Sequence, residues 1–100
     1  MLSPEAERDI VQIRDYCLEE AGVQMARHVM GKLSKALRFL ASTPGSGHRR
    51  DDLTDEDVRF WPVFSYLIVY TPTMRPIGIA RVLHAARDLE ALLRKSAQRM

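Results

Sequence analysis

The clearest strand pattern in the chain lies in residues 58–88, which read VRFWPVFSYLIVYTPTMRPIGIARVLHAARD. Apolar side chains alternate with polar or small ones, and β-branched and aromatic residues are enriched, which is typical of strands. Three strands are predicted, at residues 58–63, 65–71 and 77–84. Turn-forming residues between Pro72 and Pro76 separate the last two strands as a hairpin. This segment therefore predicts a small antiparallel sheet.

The charge of this segment is unusual because, before Asp88, it comes from arginine alone. The arginines are Arg59, Arg75, Arg81 and Arg87. A guanidinium group is planar and holds a carboxylate or phosphate through two parallel hydrogen bonds. We therefore expect these side chains to hold an anionic group, either of this chain or of a partner. For Arg81, the partners expected within the chain are Asp88 and the acids of residues 51–57.

Two helices are predicted ahead of the sheet. The first begins at Ser3-Pro4-Glu5, which supplies a hydroxyl N-cap, a proline at the first helical position and an acid in the first turn. It ends at Ala21-Gly22, and Cys17 continues its apolar face, so this thiol is expected in the core. The second helix follows at once and ends at Pro44-Gly45. The short link predicts an antiparallel helical hairpin.

Two further segments complete the predicted fold. Residues 42–57 form a loop that is long for a compact domain, so it is either functional, covered by a partner or pinned by Leu53. From Arg87, the spacing of Leu89, Leu92 and Leu93 predicts a short C-terminal helix. The fold class is α+β: an N-terminal helical hairpin packed on a small three- to four-stranded antiparallel sheet, with a short C-terminal helix. Residues 1–100 form a single domain.

Composition excludes several classes of protein. The single cysteine rules out an internal disulfide and fits a reducing compartment. A net charge of +2 is too small to imply nucleic-acid binding by itself. No signal-peptide pattern is present, and the longest apolar stretch, Trp61 to Pro72, is too short to cross a bilayer. The three histidines lack metal-site spacing, so neither a metal nor a cofactor is expected. We expect a cytoplasmic protein without a membrane partner.

Several motifs resemble the ParE toxins of bacterial type II toxin–antitoxin modules, within the wider RelE/ParE superfamily. They are Ser-Pro-Glu-Ala-Glu-Arg-Asp-Ile at residues 3–10, Leu40-Ala41-x-x-Pro44, Val58-Arg59-Phe60, Tyr66-Leu67-Ile68-Val69-Tyr70 and Arg81-Val82-Leu83-His84-x-x-Arg87-Asp88. The match covers nearly the whole chain in the family's order. The resemblance implies the family fold, which is also a helical hairpin on a small antiparallel sheet.

The N-terminus departs from the family pattern. Members usually begin with a short strand before the Ser-Pro, whereas only Met1-Leu2 precede it here. Either that strand is reduced to a stub or the start lies upstream. If the strand is missing, the sheet has an exposed edge that a partner could fill by strand addition.

The resemblance implies a toxin that a ParD-type antitoxin, encoded beside it, keeps inactive. ParE-like toxins are associated with inhibition of DNA gyrase, whereas RelE-like members cut mRNA on the ribosome. No lysine lies between Lys35 and Lys95, so the sheet lacks the basic crowding of the nucleases. We therefore predict a toxin that binds a protein target, expected to be DNA gyrase, and catalyses no reaction itself. DNA is expected to be contacted only through the antitoxin.

Candidate contact residues fall into two sets. Those for the target are Arg59, Arg81, His84, Arg87 and Asp88. Those for the antitoxin are Arg27, Lys35 and Arg38 on the basic face of the second helix and the aromatic residues Trp61, Phe64 and Tyr66. Each set also has a structural interpretation: Arg81 in an internal ion pair, His84 as a cap at the strand-to-helix junction, and the aromatic rings in packing.

Two alternatives to the gyrase hypothesis remain open at this point. In a ribosome-dependent mRNA interferase, His84 or Tyr70 would transfer protons while Arg59 and Arg81 hold the phosphate. The other alternative is a non-toxic homologue kept as an antitoxin partner and co-repressor.

Overall fold

A computed structural model of the protein describes residues 2–88. In chain order its elements are α1 (Pro4–Ala21), α2 (Val23–Ser42), a short 3-10 helix (Pro44–Ser46), β1 (Arg59–Val63), β2 (Tyr66–Thr71) and β3 (Gly78–His84). The strands form an antiparallel sheet in the order β1-β2-β3, and a helical turn begins at residue 85. The α+β class and the helical hairpin are confirmed. The C-terminal helix begins with this turn, while Leu89, Leu92 and Leu93 lie outside the described residues.

The start of α1 is bound to the outer edge of β3. The Ser3 hydroxyl accepts the Ala6 N–H at 3.0 Å, as an N-cap does, and donates to the Ala80 carbonyl at 2.7 Å. The Ser3 N–H donates to the Ile79 carbonyl at 2.9 Å, and Leu2 forms a single parallel bridge with Ile79. Leu2 and Ser3 thus lie along the outer edge of β3, where the strand before Ser3 was expected.

Side chains rather than a further strand occupy the rest of that edge. Asp9 accepts the Val82 N–H at 2.9 Å, and Asp88 accepts the His84 N–H at 2.6 Å. The opposite edge, on β1, is closed by a two-bond bridge between Phe60 and His48, followed by Pro62, which has no N–H to offer. The exposed edge that a missing strand would leave is therefore largely occupied by the chain itself.

The core lies on both faces of the sheet. The helical hairpin packs on one face, where it buries Leu33, Leu40, Ile68 and Cys17, as expected for the thiol. The other face carries a smaller cluster in which the loop residue Leu53 is buried. Leu53 therefore pins the long loop, which is one of the three alternatives that the sequence left open. Burying a leucine of this kind contributes on the order of 2 kcal/mol relative to leaving it in water.

Tyr70 fixes the segment that follows α2. Its side chain is fully buried, and its hydroxyl donates to the Pro44 carbonyl at 2.6 Å while accepting the Gly47 N–H at 2.8 Å. Arg59, which faces Tyr70 across the β1–β2 pairing, donates to the Gly47 carbonyl at 3.0 Å. These bonds attach the 3-10 segment to the sheet and leave no room for a side chain at Gly47, where a Cβ atom would collide with the tyrosine ring.

We expect Gly47→Ala to destabilise the protein by about 2 kcal/mol, because the tyrosine has to move and its two hydrogen bonds weaken. Gly45→Ala is the matched control, since a Cβ atom there meets nothing within 4 Å. Urea denaturation followed by circular dichroism measures both. Equal unfolding midpoints for the two variants would contradict the packing described around Gly47.

Candidate functional site

Arg81 on β3 is bound by Asp9 on α1. The Arg81 Nε lies 2.8 Å from Asp9 Oδ2 and its Nη2 lies 3.0 Å from Oδ1, which is the bidentate geometry of a strong pair. The Asp9 side chain is only 11% exposed. This hydrogen bond, with Asp88 and Glu5 at longer range, raises the pKa of Arg81 above its ordinary value. The expectation of Asp88 or the 51–57 acids as its ion-pair partner was wrong.

A β-bulge interrupts the alternation of β3 just before Arg81. In the β2–β3 pairing Val69 faces Arg81 while Tyr70 faces Ile79, so one residue of β3, Ala80, is left over. A bulge of this kind bends the strand and turns a side chain out of the regular alternation. As a result Ile79 and Val82, three positions apart, both pack against the helices. Arg81 itself is in register with Val69, which belongs to the cluster on the opposite face, and it reaches Asp9 from its place on the edge strand.

His84 caps the strand-to-helix junction, as one of its sequence interpretations proposed. The imidazole Nδ1 accepts the Arg87 N–H at 3.3 Å, and the Asp88 carboxylate reaches back to the His84 N–H at 2.6 Å. This exchange is similar to a capping box. Burial acts to raise the pKa of Asp88, but the bonds from Arg87 and from the His84 N–H outweigh it, so the pKa falls below its ordinary value.

A polar cleft of about 340 Å³ opens where α1, β2, β3 and the helical turn meet. Its lining residues are Asp9, Gln12, Ile13, Tyr16, Tyr66, Arg81, Val82, His84, Arg87 and Asp88. Arg87 is the most accessible cation there, with 72% of its side chain exposed. The Tyr66 ring forms the inner wall, edge-on to His84 with the centroids 5.5 Å apart. Burial is the main cause that raises the pKa of this tyrosine, and the neighbouring Cys17 raises it further.

Four of the five target candidates meet in this cleft: Arg81, His84, Arg87 and Asp88. Arg59 does not, because it lies on β1 and holds the Gly47 carbonyl. Tyr66, which the sequence placed among the antitoxin contacts, is buried and belongs to the cleft instead. Asp9 was missed altogether. The available signal was its position three residues after Ala6 and four before Ile13, within the apolar stripe of α1, where an acid requires a partner.

The four residues that a nuclease would use do not form one site. Arg81 and His84 line the cleft, whereas Arg59 and Tyr70 hold the segment around Gly47. The Tyr70 hydroxyl is already bound on both sides. Among residues 2–88, moreover, no three His, Cys, Asp or Glu side chains are grouped so that they could hold a metal ion.

A second depression, an open groove of about 440 Å³, lies between α2 and β1. Its lining residues are Lys32, Lys35, Ala36, Phe39, Trp61, Pro62, Val63 and Phe64. Three antitoxin candidates, Lys35, Trp61 and Phe64, thus come together here, while Arg27 and Arg38 stand outside the lining. Lys32, three residues before Lys35, belongs to the same basic face of the second helix. Phe39 was missed, although its position four residues after Lys35 places it beside that lysine on the helix.

Comparison with known proteins connects this fold to a family. The model of the ParE toxin of type II toxin–antitoxin systems, parDE, matches residues 1–89. The chain belongs to this ParE family. Its fold is similar to a solved structure described as the chromosomal ParDE toxin–antitoxin system from P. aeruginosa, with a TM-score of 0.68 and 16% sequence identity over 83% of this chain and 90% of that one. No curated protein matches the sequence.

The ParE toxin is therefore a component of a type II toxin–antitoxin system, as the sequence motifs predicted. The structural likeness, at 16% identity, supports the fold alone. Of the two helices, α1 and α2, neither is long and apolar enough to cross a membrane within the described part of the chain.

We expect Asp9→Ala to lower the free energy of unfolding of this ParE toxin by about 2 kcal/mol, because it leaves both the Arg81 guanidinium and the Val82 N–H without their acceptor. Asp15→Ala is the control: this acid lies on the same helix but is exposed and pairs only with the adjacent Arg14. Chemical denaturation at neutral pH compares the two. A loss no larger than that of the control would show that the Asp9 contacts do not stabilise the fold.

The lowered pKa of Asp88 predicts a dependence of stability on pH. A carboxyl whose pKa is lower in the folded than in the unfolded state stabilises the fold above its unfolded pKa, near the ordinary 3.8, and loses this contribution as the pH falls through the folded value. Asp88→Asn should therefore destabilise the toxin at pH 7 and have much less effect at pH 3. Melting temperatures measured at both pH values test this; an equal difference at both would contradict it.

Proposed function

We propose that this ParE toxin inhibits DNA gyrase by binding it, without catalysing a reaction, and that a ParD-type antitoxin encoded beside it neutralises the toxin. The toxin would then act in the cytoplasm, where gyrase works, and would meet operator DNA only through the antitoxin. Family membership supports the toxin–antitoxin pairing. The observation that favours protein binding is the cleft itself, which gathers Arg81, His84, Arg87 and Asp88 into one hydrogen-bonded set.

The cleft is better suited to recognition than to proton transfer. A general base needs a free lone pair within reach of the proton that it removes. The His84 Nδ1 already accepts the Arg87 N–H, and the Asp88 carboxylate is shared between the His84 N–H and the Arg87 guanidinium. The groups that remain available to a partner are guanidinium N–H donors and aromatic edges, which are frequent among the residues that dominate binding at protein interfaces.

Arg87 is the residue on which the target contact most depends in this proposal. Its guanidinium is largely exposed, and Asp88 orients it from one side at 3.1 Å, so its remaining N–H groups point to solvent. An arginine held by a neighbouring acid loses less side-chain entropy when it binds a partner than a free one does. Asp9 holds Arg81 through two of its five N–H groups, so we assign Arg81 to holding the cleft wall.

A gyrase supercoiling assay with purified toxin tests the proposal. We expect the wild-type toxin to block supercoiling and the antitoxin, added first, to restore it. Arg87→Ala should raise the concentration for half-inhibition by about tenfold or more, as for an interface hot spot. Arg49→Ala is the control, since Arg49 is half exposed and pairs with Asp51 and Asp57 on the distant loop.

Two results would overturn the proposal. Unaffected supercoiling, together with codon-spaced mRNA cuts in a translating extract, would assign the toxin to the mRNA-cutting class. Normal colony growth on induction without the antitoxin, with supercoiling also unaffected, would identify a non-toxic partner of the antitoxin.

A further inference from the structure

We propose that the polar cleft is a carboxylate-binding site, and that its occupant is a single acidic side chain on a protein segment that is otherwise neutral or basic. The inference rests on the proposed function in one respect, namely that the target supplies this segment. The chemistry of the occupant is argued from the cleft alone: its carboxylates are already occupied, its hydrogen-bond donors are in excess, and the helix beside it is acidic.

The two carboxylates of the cleft are already occupied by donors of the same chain. Both Asp9 oxygens accept from the Arg81 guanidinium, and one of them also accepts the Val82 N–H. Both Asp88 oxygens are engaged as well, one by the Arg87 Nε and the other by the N–H of residue 84. A lysine or arginine that entered the cleft would have to share these acceptors with the donors that hold its walls. A cationic occupant is therefore disfavoured.

Hydrogen-bond donors, in contrast, are in excess in the cleft. Asp88 takes only the Nε–H of Arg87, so both terminal nitrogens of this largely exposed guanidinium have no acceptor within residues 2–88. Arg81 keeps N–H groups beyond the two that are already bound, and about half of its side chain is exposed. Because the His84 Nδ1 accepts the Arg87 N–H, the neutral imidazole carries its proton on Nε2 and is a further donor. A carboxylate, with two acceptor oxygens on one planar group, complements such a set of donors.

The acidity of α1 favours a lone carboxylate over a nucleic acid. Residues 5–20 hold six acids against two arginines, and both arginines pair with acids of the same helix. Glu5 and Glu20 lie one helical turn from Asp9 and Tyr16, which line the cleft. An RNA strand carries a phosphate on every nucleotide and would bring several negative charges against this helix. A segment with one carboxylate between neutral or basic residues avoids that repulsion, and its basic residues complement the acids of α1.

The salt dependence of gyrase binding tests the charge of the occupant. Toxin binding to immobilised gyrase is measured by surface plasmon resonance over a range of KCl concentrations. We expect Arg87→Gln to bind about tenfold more weakly at low salt, and its affinity to fall less steeply with salt than that of the wild type, because one ion pair is missing. Arg87→Lys should keep the wild-type salt dependence but bind more weakly, since lysine keeps the charge and loses the planar fork. Arg49→Gln is the control and should match the wild type.

Short peptides test the cleft without gyrase. The blocked tripeptides Lys-Glu-Lys, Lys-Gln-Lys and Glu-Glu-Glu, and inorganic phosphate, are titrated into the isotopically labelled toxin at constant ionic strength, and NMR follows the Arg87 Nε–H and the His84 ring. We expect Lys-Glu-Lys to shift both signals and to bind at least about tenfold more tightly than Lys-Gln-Lys, which has the same shape without the charge. Glu-Glu-Glu should bind more weakly than Lys-Glu-Lys, because its flanking acids meet those of α1. Phosphate should also bind more weakly than Lys-Glu-Lys.

Several outcomes would overturn the inference. Equal salt dependence of the wild type and Arg87→Gln would mean that Arg87 binds a neutral acceptor. Equal shifts with Lys-Glu-Lys and Lys-Gln-Lys, or no shift with either, would remove the carboxylate, and tighter binding of phosphate would replace it by a phosphate ligand. Tighter binding of Glu-Glu-Glu would remove the neutral or basic segment.

The two proposals fail separately because the peptide titrations contain no gyrase. If Lys-Glu-Lys binds as expected while supercoiling is unaffected, the carboxylate site stands and the proposed function fails. A toxin that blocks supercoiling but does not distinguish Lys-Glu-Lys from Lys-Gln-Lys keeps the proposed function and loses the carboxylate site.

Discussion

The Asp9 carboxylate has to satisfy three donors at once, and the arrangement of the molecule around the cleft depends on this. Its two oxygens accept hydrogen bonds from the Arg81 Nε and Nη2 and from the Val82 N–H. Asp9 is 72 positions from Arg81 and 73 positions from Val82 in the chain. Apolar packing alone is non-directional and would leave α1 free to rotate or slide on the sheet. Three hydrogen bonds at fixed angles remove that freedom, and because Asp9 is mostly buried, water cannot easily replace them.

The two candidate surfaces follow from the order of the strands. β3 lies at one edge of the sheet and contributes to the cleft, whereas β1 lies at the other edge and contributes to the groove. Polar, paired side chains dominate the first surface, whereas exposed rings dominate the second, together with two lysines that form no ion pair with any of residues 2–88. Because the two surfaces lie at opposite edges of the sheet, a molecule bound to one of them leaves the other uncovered.

Local patterns in the sequence were sufficient to predict the helices and strands but not the contacts between them. Capping residues predicted the bounds of α1 at Ser3 and Gly22, and alternation predicted the bounds of the strands to within about one residue. Both patterns depend only on neighbours in the chain. The partner of Arg81 could not be found this way, since the β-bulge interrupts the alternation of β3 and Asp9 comes from a distant helix. The contacts of Tyr70 could not be predicted from the sequence either. Nothing in an alternating strand distinguishes a hydroxyl that is bound on both sides from one that is free to react.

The closure of both sheet edges has a consequence for the toxin when it is alone. Unpaired strand edges recruit strands from other molecules and lead to aggregation, most of all in a protein released from a partner that had covered it. Here β3 is closed by Ser3, Asp9 and Asp88, and β1 by His48 and Pro62. Within residues 2–88 the sheet therefore offers little template on which a second copy of the chain could add a strand.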